Sequence, residues 1–210
     1  MSRYFGPVCR LCRREGIKLM LKSTRCESAK CPMEKQWRSN PPGMHSWRRS
    51  KDKGYGIRLR EKQKVKRYYG VLEGKFLIYF RQAERMRENT GKALLSLLER
   101  RLDNVVCKCG FAGSRKSARQ VVGHGHICVN GRRVDRPGFR VKQGDRISVK
   151  SSDRSRQLVK SNLELAEGLT PQAWLQVDPD KFEATVAALP SRDDVQIPVE
   201  ELLIVEMCSR

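Results

Sequence analysis

No apolar run in this 210-residue sequence reaches the roughly 18 residues a membrane span needs, and the opening MSRYFGPVCR lacks the hydrophobic stretch of a secretory leader. Nor is there a long basic amphipathic helix with a broad Trp, Phe and Leu face that would lay the chain on a bilayer. The expectation is a protein without a membrane partner that stays in the compartment where it is made. Acidic residues are also scarce: 23 stand against 44 lysines and arginines, a net charge of +21 that calls for a polyanion. The deficit is uneven. Residues 171–210 hold three basic and eight acidic residues, so residues 1–170 carry a net charge of +26 and the tail is not a nucleic-acid surface.

A reducing compartment disfavours structural disulfides, so the eight cysteines need another explanation. Four fall into two short pairs, Cys9-x2-Cys12 and Cys26-x4-Cys31, with thirteen residues between them. Two tight chelates joined by a loop suit a tetrahedral metal, and four protein ligands leave no open position for water, so the site is structural. Zinc (Zn2+) is the expected ion, with an iron–sulfur cluster using the same ligand set and four reduced cysteines in a basic loop as alternatives. Arg10, Arg13, Arg14, Arg25 and Lys30 crowd the pairs and are expected to favour thiolate. Cys107, Cys109, Cys128 and Cys208 form no second ligand set and read as small buried hydrophobes.

Asn40-Pro41-Pro42-Gly43 is a turn or linker. From Lys51 to Tyr69 basic residues interleave with Tyr55, Ile57, Leu59, Val65, Tyr68 and Tyr69, as in a helix laid along a phosphate backbone, with a solvated basic helix as the plainer alternative. Val71, Leu72, Phe76, Tyr79, Phe80 and Ala83 keep a helical repeat, and Leu94, Leu95, Leu98, Leu102 and Val105 keep another, with Thr90 as its possible cap. These rings and leucines read as core. Arg101-Leu102-Asp103 resembles the surroundings of the catalytic aspartate in pseudouridine synthases, but a leucine-rich helix favours a structural aspartate.

The sharpest stretch is Ser114–Val134, SRKSARQVVGHGHICVNGRRV. Ala118, Val121 and Val122 share one side of a short helix, leaving Arg115 and Arg119 on another. Gly123 and Gly125 stop the helix, Ile127–Val129 are strand formers, and Asn130-Gly131 signals a tight hairpin. Turns at 135–138 and 143–145 bracket Phe139–Val141 and lead to Ile147–Val149. Beyond the polar segment 151–161, a helix start is expected at Leu169-Thr170-Pro171 with Trp174 as a buried anchor, a second helix from Asp178-Pro179-Asp180 through Phe182 and Val186, and a run Leu202–Val205 that packs back onto the helices of 65–105.

The words SRKSARQVV, GHGHICVNG and RVKQGDRISV resemble the S-four RNA-binding domain. MSRYFGPVCRLCRREG, PPGMH, YGIRLREKQKVKRYYGVLEGKF, NTGKALLSLLERRLDNVV and IPVEELLIVEMCSR extend the resemblance to the whole bacterial-type small-subunit ribosomal protein S-four family. Two kinds of position depart from that family: Ser117 stands where a glutamate is common, and Cys107, Cys109 and Cys208 replace larger residues. The resemblance implies an α+β protein with a metal-bound N-terminal segment (1–43), a helical domain in two parts (44–97 and 163–210), and an inserted small α/β RNA-binding domain of helices plus a short antiparallel sheet (98–162). It implies a non-enzymatic constituent of the cytoplasmic small ribosomal subunit that binds the 5′ domain of small-subunit ribosomal RNA and nucleates assembly of the subunit body. Ribosomal proteins three and five would be neighbours, with messenger RNA at the entry path, and decoding accuracy would be affected.

The expected RNA contacts are Arg115, Lys116, Arg119, Arg132 and Arg133 in the inserted domain and Arg13, Arg14, Arg48, Arg49, Lys62, Lys66 and Arg67 upstream. The mechanism is binding without chemistry, driven by counterion release from phosphates and by shape. A catalytic domain of the size an RNA-modifying enzyme needs is missing, and a zinc-dependent DNA regulator would have to bind duplex DNA as tightly as structured RNA.

Overall fold

A computed structural model describes residues 4–46, 53–165 and 172–209. The described residues form eight α-helices and one five-stranded antiparallel sheet, so the class is α+β. They divide into two compact units, one made of 1–94 with 197–210 and the other of 95–196.

The first unit begins with α1 (Cys9–Glu15), closed by Gly16 in the left-handed conformation at φ 70°. Short 3-10 turns follow at Ser23–Cys26 and Gln36–Arg38. The long basic helix α2 (Gly54–Tyr69) buries Val65, Tyr68 and Tyr69, and α3 (Glu73–Glu84) buries Phe76, Tyr79, Phe80 and Ala83. The aromatics read as core are therefore core. The C-terminal helix α8 (Glu201–Cys208) lies against α2 with Ile204 buried and Leu202 exposed: Glu206 pairs with Arg58, Lys64 Nζ donates to the Pro198 carbonyl at 3.5 Å, and Glu61 accepts from the Glu200 amide at 3.3 Å.

Helix α4 (Thr90–Glu99) begins under Asn89 rather than Thr90, because the Asn89 Oδ1 accepts from the Gly91 and Lys92 amides at 2.9 and 3.3 Å. The leucine repeat does not continue unbroken. Arg101 is extended (φ −70°, ψ 135°) and pairs with Arg140, after which α5 (Leu102–Lys108) starts anew. The Leu102 and Asp103 amides donate to the carbonyls of Phe139 and Pro137, and the Val141 amide donates to Arg100. Those bonds occupy the backbone of Phe139–Val141, which is why it stays outside the sheet.

In the second unit α6 (Arg115–Gly123) is capped by Ser114, whose Oγ accepts from the Ser117 amide at 3.3 Å. Ala118, Val121 and Val122 face the core. Strands β1 (Ile127–Val129) and β2 (Arg132–Arg133) form the hairpin, with Asn130 at φ 51° and Gly131 at φ 76° as a type I′ turn requires. After β3 (Arg146–Val149) and α7 (Asp153–Leu165), the chain adds β4 (Leu175–Asp178) and β5 (Glu183–Val186), giving the order β2-β1-β3-β5-β4.

The last two strands correct the expectation of a second helical part over 163–210. Residues 163–196 instead belong with the RNA-binding elements, and only 197–210 join the first unit. Trp174 is buried, but ahead of a strand; Phe182 takes φ 54° at the β4–β5 turn; Ala184 and Val186 point inward on alternate residues. The expected helix start at Leu169–Pro171 falls outside the described residues. One apolar core running from Leu102 through Phe111, Ile127, Ile147 and Val159 to Trp174 and Val186 holds this unit.

Candidate nucleic-acid interface

Charge enters the interior of the second unit through two linked clusters. Arg101 Nε donates to Asp103 Oδ1 at 3.0 Å and its Nη2 to Oδ2 at 2.5 Å, while Arg119 Nη1 lies 3.7 Å from the same carboxylate. Buried Glu99 accepts from Asn104 Nδ2 at 2.6 Å and from Lys108 Nζ at 3.1 Å. Lys108 also donates to Gln172 Oε1 and to the Asp194 carbonyl, both at 2.9 Å. Asn104 Oδ1 accepts in turn from Arg115 Nε at 2.7 Å.

Arg115 and Arg119, both expected RNA contacts, are thus fixed at their inner ends by α5 and half-exposed on α6. Lys116, on the same helix, is exposed, and so are Arg132 and Arg133 of the hairpin. The structure brings this quintet into one unit with fixed backbone. The Arg133 guanidinium lies over Gly125, where any Cβ would overlap it. Asn130 Oδ1 accepts from the Arg146 amide and its Nδ2 donates to Asp145, both at 2.9 Å, which holds the hairpin turn against β3.

Two histidines were passed over in the sequence. His126 has its Nδ1 2.8 Å from the Oγ of buried Ser155, and its ring stands 6.1 Å from that of exposed His124. Burial, then the nearby His124, Lys150 and Arg133, push the His126 pKa below the usual histidine value. The His-Gly-His spacing at a helix-to-strand joint was the signal available.

The upstream cations divide differently. Arg14 is exposed, and half-buried Arg13 donates from Nε to the Asn40 carbonyl at 2.7 Å. Arg48 and Arg49 lie outside the described residues. Lys62 differs from an exposed phosphate contact: at 8% exposure it is buried, with Nζ 2.5 Å from Glu73. Burial opposes its charge, but Glu73 and Cys208 together more than compensate and its pKa rises. Lys66 also pairs with Glu73, and Arg67 pairs with Glu15, whose side chain is fully enclosed. Arg60 approaches the same Glu15 oxygen at 3.3 Å. Burial outweighs these arginines and raises the Glu15 pKa, just as it lowers that of Arg67. These side chains join α1 to α2 and α2 to α3.

Cys9, Cys12, Cys26 and Cys31 line one small cavity with Val8, Leu21 and Met33, and three of the four thiols are buried. Among the described residues, no group of three or more His, Cys, Asp or Glu side chains stands in a metal-ligating arrangement. The Lys22 amide donates to Cys26 Sγ at 3.2 Å. The expectation that surrounding arginines lower the thiol pKa is corrected: burial, and for Cys12 the other three sulfurs, push Cys12 and Cys26 up. Cys109 is a buried hydrophobe as expected, its pKa raised by burial to about 12.

A family model described as "Ribosomal protein S4/S9 N-terminal domain" matches residues 3–99, and one described as "S4 domain" matches residues 100–147. A protein of Halothermothrix orenii bearing the name small ribosomal subunit protein uS4 is 56% identical over 210 residues, spanning the whole of both chains. Proteins of the same name from Thermoanaerobacter sp. and Thermus thermophilus are 53% and 50% identical, again over the full length of each chain.

Proposed function

Because the chain belongs to the uS4 family of small ribosomal subunit proteins, we propose that it binds small-subunit ribosomal RNA directly, through the basic face of α6 and the β1–β2 hairpin. The family is one of structural proteins of the cytoplasmic ribosome and not of enzymes. Asp103 fits that role, since both its oxygens are taken up by Arg101 in the interior.

The observation that carries the proposal is the anchoring of Arg115 by Asn104 and of Arg119 by Asp103 beside exposed Lys116, Arg132 and Arg133. Cations held in place before RNA arrives lose little conformational freedom on binding, so shape is read by a rigid surface. Within this reading the protein binds the 5′ domain, nucleates assembly of the subunit body, lies beside ribosomal proteins three and five near the messenger RNA entry path, and affects accuracy. The +26 charge of residues 1–170 against the acidic tail supports RNA contact by the first part of the chain and protein contact by the last.

The N-terminal segment is proposed to hold one structural Zn2+ on Cys9, Cys12, Cys26 and Cys31. Four thiols lining one cavity supply the donor set for such an ion, and burial raises the pKa of Cys12 and Cys26. Bound zinc would cross-link α1 to the 3-10 turn at Cys26. Native mass spectrometry checks this: one zinc per chain is expected, and an iron–sulfur absorbance in its place would reassign the site.

The RNA proposal is tested by filter binding of labelled small-subunit ribosomal RNA 5′ domain at moderate salt, against excess duplex DNA and unrelated RNA. Binding that survives both competitors is expected. Equal displacement by every polyanion would leave only non-specific charge.

A further inference from the structure

Among the described residues Tyr68, Tyr69, Phe76, Tyr79, Phe80, Phe111 and Trp174 are buried, while Phe5, Trp37 and Tyr55 are the most exposed rings. Trp37 is 68% exposed. It is not a frayed end. It occupies the middle of the 3-10 turn Gln36–Arg38, where the Arg38 and Ser39 amides donate to the Lys35 carbonyl at 2.8 and 3.0 Å and Ser39 Oγ donates to the Gln36 carbonyl at 2.9 Å. Two residues beyond that turn, the Asn40 carbonyl accepts from Arg13 and so tethers the loop to α1.

The Arg38 guanidinium lies over the Trp37 ring, 4.3 Å from its centroid. A guanidinium covers one face of an indole, and at 68% exposure the remainder of the ring stays open. Its sequence neighbours Lys35, Gln36, Arg38 and Asn40 are exposed and polar, so along this loop the indole is a lone apolar side chain flanked by two cations. A protein interface would need contiguous apolar area around such an anchor. An unstacked base needs only one planar face with positive charge beside it.

We propose that Trp37 and Arg38 form a stacking platform for one unpaired nucleobase of small-subunit ribosomal RNA, with Arg38 also facing that nucleotide's phosphate. The platform rests on the RNA-binding reading above and adds a base contact to it. Stacking is tolerant of base identity, so the platform prefers an unpaired nucleotide over a duplex without selecting a sequence.

The test uses the full chain carrying Trp47→Phe, which leaves two tryptophans, exposed Trp37 and buried Trp174. Titration with the 5′-domain RNA should quench the emission as the complex forms. Trp37→Ala should weaken binding about tenfold, or about 1.4 kcal/mol, with an unchanged salt slope, because no phosphate contact is lost. Trp37→Phe should recover most of that affinity, and Arg38→Gln should lower the salt slope by about one. Wild-type affinity in Trp37→Ala with no quenching in its parent would overturn the platform and leave RNA binding standing. Failure of the unsubstituted chain to bind would remove both. Unchanged RNA affinity together with lost retention of a ribosomal protein by Trp37→Ala would reassign the ring to a protein contact and overturn the proposal.

Discussion

Arg101 and Asp103 face each other across a single intervening residue with both side chains no more than 4% exposed, joined by two parallel hydrogen bonds. The pair lies where the leucine-rich helix breaks and α5 begins. Its carboxylate also reaches Arg119 on α6, so one buried acid sets the start of α5 and orients a cation on the proposed RNA face.

Removing one partner of such a pair leaves an uncompensated charge in the interior. Asp103→Ala is therefore expected to cost about 3–5 kcal/mol of stability, measured by urea unfolding. Asp103→Asn keeps the volume but removes the carboxylate charge that faces the Arg101 guanidinium, and should lose a large part of the same stability. A loss below about 0.5 kcal/mol in both variants, as for an ordinary surface site, would show that the pair is not closed as described.

Cations of equal formal charge should behave unequally. Lys116→Gln and Arg132→Gln remove exposed charges, and each is expected to lower the salt slope of RNA binding by about one while leaving the fold intact. Lys62→Met is expected to keep the wild-type salt slope and change only stability, since its ammonium is already matched by Glu73. Arg67→Met should destabilise because it leaves Glu15 enclosed with Arg60 as its remaining close partner. Unfolding curves and salt-dependent binding curves for the four variants separate these roles.

That division marks the limit of what the sequence discloses. Helix α6 and the hairpin were legible because local rules determine them: Ala118, Val121 and Val122 fix a helical face, and Asn130-Gly131 fixes a turn. Ion pairing is not local in that sense. Glu73 sits on the helix after Lys62 and Lys66, and Glu15 lies 52 residues from Arg67. Nothing in a run of lysines and arginines tells which are spent on such partners. The misread stretch has another cause: Phe182 and Val186 are four residues apart, a spacing that suits a helix and a strand alike. Pairing of β5 with both β3 and β4 decides for the strand.

Metal removal follows from the proposed zinc site. The segment from α1 through the 3-10 turn at Ser23–Cys26 buries few large side chains besides Leu19 and Leu21, so its order should depend on the ion. Chelation is expected to erase hydrogen-exchange protection at the Leu11 and Lys22 amides while amides of the second unit's core, such as Val105 and Cys109, keep theirs. Cys9→Ser combined with Cys12→Ser should reproduce the chelated pattern. Full protection at Leu11 after chelation would assign the segment's order to Glu15, Arg60 and Arg67 instead.

Protonation offers a last measurement with a determined sign. His126 meets Ser155 of α7 and His124 at the end of α6, and its pKa is lowered first by burial and then by the basic groups of His124, Lys150 and Arg133. In the unfolded chain the ring takes its proton near pH 6.5, whereas in the folded chain it does so at lower pH. The unfolded state thus binds more protons between those two values, and stability is expected to fall as pH drops through about 6.5, with no contribution from this ring above it. A phosphate of bound RNA placed beside His126 and Lys150 would reverse the balance by favouring the protonated ring. Affinity for the 5′-domain RNA should therefore rise between about pH 7.5 and 5.5 while the free protein loses stability, a pair of opposite trends that general acid denaturation does not produce. His126→Gln should flatten both trends. If it flattens only the stability curve, His126 belongs to the fold alone and the RNA approaches elsewhere on the α6 face.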